Sequence, residues 1–157
     1  MRRIAFCLIA AALLGSGAAC GGDDTPPLSS DEFVKQASAI CKDHDARVAE
    51  KGKDILANPN PKAEELAKFF TDEAIPNARD KLKELGKLHP PTKQKDKFKK
   101  MLAAGDKALD AAEDGFKQKG STTTLRQDEG SDLYKTSNEE FNKLARELDL
   151  GDCAPKE

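Results

Sequence analysis

The sequence predicts an all-α fold, an up-and-down four-helix bundle with one helix kinked at a proline. Apolar residues recur at intervals of three and four over most of the chain, as they do in helices with one buried face. Gly- and Pro-containing breaks separate four such stretches, and none alternates with the period of two that a half-buried strand needs. Four amphipathic helices joined by short breaks bury their stripes by packing antiparallel around one core.

Helix one is expected over residues 30–51. Ser29 with Glu32 three residues later is a capping-box pattern, and Phe33, Ala37, Ile40, Cys41, His44 and Val48 follow on one face. Gly52 and Asn58-Pro59-Asn60-Pro61 are expected to break it, with Asn60 capping helix two and Pro61 in its first turn. Leu66, Phe69, Phe70, Ala74 and Ile75 form the apolar face of helix two, which Ala78, Leu82 and Leu85 extend. Pro76 lacks a backbone donor and is expected to kink this helix or split it.

His89-Pro90-Pro91 closes that stretch, and Thr92 is placed as the cap of helix three. Phe98, Met101, Leu102, Gly105, Leu109, Ala112 and Phe116 keep helical spacing for about five turns, the strongest periodic signal in the chain. Gly120 to Thr124 reads as a loop. Leu133, Ser137, Phe141, Leu144, Ala145 and Leu148 then mark helix four, which Gly151 is expected to end.

Ahead of the bundle, Arg2 and Arg3 precede an apolar run of eleven residues, Ile4 to Leu14, and the small residues Gly15 to Ala19. This is the layout of an export signal over residues 1–19, and eleven residues are too few to span a bilayer as a helix. The segment ending at Cys20 resembles a bacterial lipobox, in which the cysteine receives a diacylglycerol and becomes the new N-terminus. Ala18, Ala19 and Cys20 match that pattern, while Gly17 stands where an aliphatic residue is usual, so cleavage after Ala19 without lipid stays an alternative. The resemblance implies a chain anchored through a lipid on Cys20 at the extracytoplasmic face of the cell membrane.

Cysteine parity bears on the same choice. Cys7 leaves with the leader, and Cys20, Cys41 and Cys153 remain, an odd number for an exported protein. With the lipid on Cys20, Cys41 and Cys153 are free to pair, as an oxidising compartment favours; the alternative is two buried free thiols. A pair here adds one disulfide staple to the predicted bundle.

From Cys20 onward the chain has 138 residues, which suits one domain over residues 29–157. Residues 20–28, with Gly21-Gly22-Asp23-Asp24-Thr25-Pro26-Pro27-Leu28 after the cysteine, read as a polar tether. The exported part carries 24 basic against 28 acidic residues, a formal charge of −4 that points to no nucleic-acid partner.

Lipobox, Gly/Asp tether, Asp31-Glu32-Phe33, Ala39-Ile40-Cys41-Lys42, the Leu88-to-Pro91 break and Leu150-Gly151-Asp152-Cys153 together resemble small exported lipoproteins of actinobacterial type. That resemblance implies a place and a fold, and no reaction.

The polar residues offer little chemistry. His44 follows Cys41 by three residues between Asp43 and Asp45, but a Cys41 held in a disulfide is not the thiolate a metal needs, so His44 is expected to be a helix-packing residue. His89 reads as a loop residue. A dimetal carboxylate site needs Glu three residues before His, where Cys41 and Gly86 stand. Asp128 to Asp132 lacks the Gly position and closing Glu of a calcium loop. No phosphate loop, nucleophile elbow or haem-attachment pair of cysteines occurs, and no enzyme, cofactor or metal is expected.

Charge is distributed unevenly. Arg79, Lys81, Lys83, Lys87, Lys93, Lys95, Lys97, Lys99 and Lys100 fall within residues 79–100 against three acids, whereas residues 106–132 carry seven acids and four bases. Lysines at the start of helix three and acids near its end both oppose the helix dipole, so helix stability does not explain the pattern. The basic group is expected at the anchored end, either facing anionic lipid headgroups or serving as a solvated surface. Two functional classes follow: a binding or interaction module of the envelope, with a protein, wall-polymer or apolar partner near Pro76, or a structural accessory lipoprotein without a ligand site. Exposed Phe69 or Phe70 beside a cavity would favour the first.

Overall fold

The computed structural model describes residues 25–119 and 129–154. The leader, Cys20, the tether up to Asp24, the loop expected over Gly120 to Thr124, and Asp128 lie outside them. Five α-helices are present: α1 (Ser30–Leu56), α2 (Ala63–Phe69), α3 (Ile75–Leu85), α4 (Lys95–Lys119) and α5 (Glu129–Glu147). A π-helical turn, Phe70–Ala74, joins α2 to α3 into one rod, so the fold has four rods, as the periodicity predicts. Among the described residues there is no strand.

The capping box forms as expected. The Glu32 amide donates to Ser29 Oγ, and the Glu32 carboxylate accepts from the Ser29 amide and hydroxyl, which holds that carboxyl below its ordinary value. The sign follows: the box stabilises the fold above the unfolded chain's carboxyl pKa, and the contribution is lost as pH falls through the lowered value.

Four expected boundaries differ, three of them at the starts and ends of the first three rods. Gly52 does not end helix one, which continues to Leu56. Gly52 is buried where a Cβ would stand 2.6 Å from Phe69 Cζ, so the glycine lets α2 approach and does not break the helix. Asn60 does not cap helix two; its amide donates to Asn58 Oδ1 in a local turn, and α2 begins at Ala63 after Lys62. Thr92 does not cap helix three but opens a 3-10 turn, Thr92–Gln94, that leads into α4.

The π turn ends immediately before Ile75-Pro76, and the Ile75 amide donates to the Phe70 carbonyl, five residues back. Pro76 offers no N–H, and its ring would crowd the carbonyl four residues earlier in an unbroken α-helix, so a widened turn is the local solution.

Helix four ends before Gly151 is reached. Asp149 has φ 60°, its amide donates to Arg146 O, and the Leu150 amide donates to Ala145 O. This is the Schellman pattern with aspartate at the left-handed position that favours glycine. Asp149→Gly is expected to raise the unfolding free energy by about 0.5–1 kcal/mol, because it removes left-handed strain and an acid from a helix C-terminus. A higher urea midpoint at unchanged slope would show it; an unchanged midpoint would mean that aspartate makes a compensating contact.

The main core joins Phe33, Ala37 and Cys41 of α1, Leu82 and Leu85 of α3, Phe98, Met101 and Ala104 of α4, Phe141 and Ala145 of α5, and Leu148 just after it. The most extensive helix pair is α4 with α5, and Gly105 of α4 is packed against both Leu82 of α3 and Phe141 of α5. Leu133, expected on the inner face of helix four, is instead exposed, and Tyr134 turns inward.

Cys41 and Cys153 form the expected disulfide, with Cα atoms 5.1 Å apart and a sequence separation of 112. After the Schellman turn, the 3-10 segment Gly151–Cys153 folds back over α1, and Lys42 pairs with Asp152 at 3.0 Å beside it. Leu28, read as tether, belongs to the packed fold: it is half-buried against the core, and its amide donates to His89 O at 2.8 Å.

Candidate functional site

The strongest sequence candidate for chemistry was His44. It is fully buried, with Nδ1–H donating to Asn77 Oδ1 at 3.0 Å and Nε2 3.4 Å from Glu84 Oε2, in ion-pair range but outside hydrogen-bond geometry. The imidazole thus ties α1 to α3. Cys41 is in the disulfide, and among the described residues no group of three or more His, Cys, Asp or Glu side chains is placed to hold a metal. Nothing in this arrangement brings a nucleophile to a base.

The bundle has instead an apolar groove beside the π turn. Leu66, Phe70 and Ile75 from the α2–α3 rod, Leu109 and Phe116 from α4, and Tyr134 from α5 line a cavity of about 380 Å³. Phe70 stacks on Phe116 with ring centroids 5.4 Å apart and planes 17° apart, and packs edge-on to Phe69 at 5.6 Å. Of the two phenylalanines singled out from the sequence, Phe69 is buried against α1 and only Phe70 reaches the groove. Leu66, Phe70, Ala74 and Ala78 are half-buried because the π turn changes the phase of the helix, leaving these side chains at the groove instead of closed into the core. Its volume lies within the range of small-molecule sites, about 300–1,000 Å³.

Sequence periodicity missed Tyr134. Positions 133 and 134 both keep helical spacing with Ser137 and Phe141, at four and eight residues and at three and seven, so the rotation of the helix decides between them.

The basic residues do not act as one group. Arg79 donates to Asp110 at 2.8 Å and Glu113 at 2.7 Å, and these acids hold its guanidinium above its ordinary value. Lys81 pairs with Asp45 at 3.0 Å, and Lys97 with Glu147 at 2.8 Å. These three therefore serve as interhelical pairs. Two of the acids expected at the far end, Asp110 and Glu113, are taken up by Arg79. Lys83, Lys87, Lys93, Lys95, Lys99 and Lys100 make no ion pair among the described residues, and they belong to the α3–α4 corner. Because Leu28 is hydrogen-bonded to His89, the N-terminal chain leaves the bundle at that same corner. Asp31, Glu32, Asp149 and Asp152 belong to the α1 and α5 ends.

No helix among the described residues is long and apolar enough to cross a membrane. Comparison with protein-family models, with curated proteins and with solved structures found no match to this chain.

Proposed function

We propose that this chain is a non-catalytic binding module of the bacterial cell envelope, held at the extracytoplasmic face of the membrane by a diacylglycerol on Cys20, and that the groove beside the π turn takes an apolar ligand such as an acyl chain. The groove carries the binding reading: six large apolar side chains from three rods surround about 380 Å³ that the fold leaves open. A purely structural bundle has no use for that space, since closing it would add dispersion contacts and remove apolar surface from water. The place in the cell rests on the leader and the lipobox resemblance of residues 1–20.

The chain has one tyrosine and no tryptophan, and that tyrosine, Tyr134, lines the groove. Its emission therefore reports on the site without an added label. Titration with a saturated fatty acid is expected to change Tyr134 emission saturably in the micromolar range, and Phe70→Glu should weaken the effect at least tenfold by placing a charge in the apolar site. An emission that stays flat, or changes equally in Phe70→Glu, would overturn the ligand reading. Intact mass of membrane-extracted protein tests the anchor separately: a diacylglycerol adduct on Cys20 is expected, and an unmodified N-terminus there would refute it.

A further inference from the structure

A second cavity, also of about 380 Å³, lies where the N-terminal chain leaves the bundle, between Thr25 and Pro27, the His89-Pro90 turn and the first turns of α4. Its floor is apolar, made by Leu88, Phe98 and Leu102, and its polar rim includes Lys95 and Lys99; none of the described residues lining it is acidic. Lys95 and Lys99 stand four apart on α4 and make no ion pair among the described residues. Like charges at that spacing repel, and at the start of a helix both oppose the dipole. The fold thus keeps an unfavourable electrostatic arrangement that an anion in this cavity would relieve.

We infer that this cavity binds the phosphate headgroup of an anionic membrane phospholipid, with Lys95 and Lys99 neutralising the phosphate and the apolar floor receiving the glycerol and upper acyl region. The inference rests on the reading of the chain as membrane-anchored. Cys20 precedes Thr25 by five residues, which reach at most about 18 Å, so a lipid on Cys20 holds the cavity at the headgroup layer. Once the cavity comes within a Debye length of the headgroups, about 8–10 Å, the surface potential of anionic lipids acts on it, and each lysine there contributes on the order of a fivefold gain in affinity.

The test uses protein without the lipid, so that it does not depend on Cys20. All described elements lie after residue 24, and the chain from Gly21 to Glu157 retains them. Co-sedimentation with phosphatidylcholine vesicles containing one-third phosphatidylglycerol is expected to show binding that pure phosphatidylcholine does not support. Lys95→Gln with Lys99→Gln should weaken it about twentyfold, while Lys83→Gln with Lys100→Gln, an equal charge change outside the cavity, should weaken it less than threefold. Gly86 lines the cavity with φ −61°, and a Cβ there would stand 3.3 Å from Leu82 O and 3.8 Å from Leu102 Cδ1, so Gly86→Phe adds uncharged bulk at the cavity at the cost of a small shift and should weaken binding about tenfold. Helical circular dichroism and the urea midpoint check that each variant is folded.

Equal losses from the two lysine pairs would overturn the site in favour of a diffuse field. An inert Gly86→Phe would likewise overturn it. Millimolar inorganic phosphate that shifts the Lys95 and Lys99 amide resonances while vesicles recruit nothing would overturn the lipid assignment. A failed fatty-acid titration at Tyr134 leaves all these outcomes readable, because the two cavities share no lining residue.

Discussion

Replacing both Cys41 and Cys153 by alanine is expected to lower the unfolding free energy by about 5 kcal/mol. The chain-entropy relation gives that value for a loop spanning the observed sequence separation of 112. Both residues are buried, at 0% and 5% exposure, so the double substitution also removes sulfur atoms from the core. Single-domain proteins have total stabilities of about 5–15 kcal/mol, which leaves the variant near the margin of folding. The urea midpoint should fall by about 2–4 M, and dithiothreitol should reproduce the shift in the unmodified protein. A shift below about 0.5 M would mean that the 3-10 tail holds to α1 through Leu150, Ala154 and the Lys42–Asp152 pair alone. Because the bridge ties the twelfth residue of α1 to the 3-10 segment after α5, its loss should also loosen that segment from α1.

Phe33→Ala is expected to cost about 3–5 kcal/mol, the second large effect. Phe33 is fully buried near the start of α1 and meets Phe98 of α4 edge to face with ring centroids 5.0 Å apart. Its removal leaves a void bounded by α1 and α4, and the adjacent rods cannot close it without dragging the disulfide or the His89 turn that holds Leu28. Phe33→Leu keeps most of the volume and should cost less than about 1.5 kcal/mol. A ratio near one between the two losses would mean that the edge-to-face geometry, and not the cavity, sets the energy. Since Phe98 also forms the floor of the cavity at the tether exit, Phe33→Ala should weaken vesicle binding even under conditions where the protein is folded.

Much of the fold was legible because helical phase leaves a mark on composition. Phe33, Ala37, Cys41 and His44 on α1, and Phe98, Met101, Gly105, Ala112 and Phe116 on α4, are buried as their spacing requires. The capping box at Ser29 and Glu32 was legible for the same reason, since both partners lie within four residues. Boundary errors arose where a residue's local meaning was overridden by a distant neighbour. Gly52 breaks helices by propensity, yet here it admits the Phe69 ring. Asp149, with no reputation as a terminator, ends α5 because Leu150 must turn into the core. The candidate sites were less legible. The groove depends on a π turn that shifts the phase of the second rod, and the tether-exit cavity depends on Thr25 and Pro27 packing against the His89 turn, 60 residues away in sequence.

The sequence by itself determined the class of fold, the four periodic stretches and the cysteines available for pairing, because each is set by residues within a few turns of one another or by simple parity. Tertiary structure alone decided which charges are paired and which are left over. Arg79, Lys81 and Lys97 find acids on neighbouring rods, and among the described residues Lys95 and Lys99 do not. That division depends on the rotation of each rod about its own axis, which packing of the whole core fixes and no local pattern encodes. The same rotations leave apolar space at Phe70, Phe116 and Tyr134, so both candidate sites arise from how the rods meet, not from any motif along one of them.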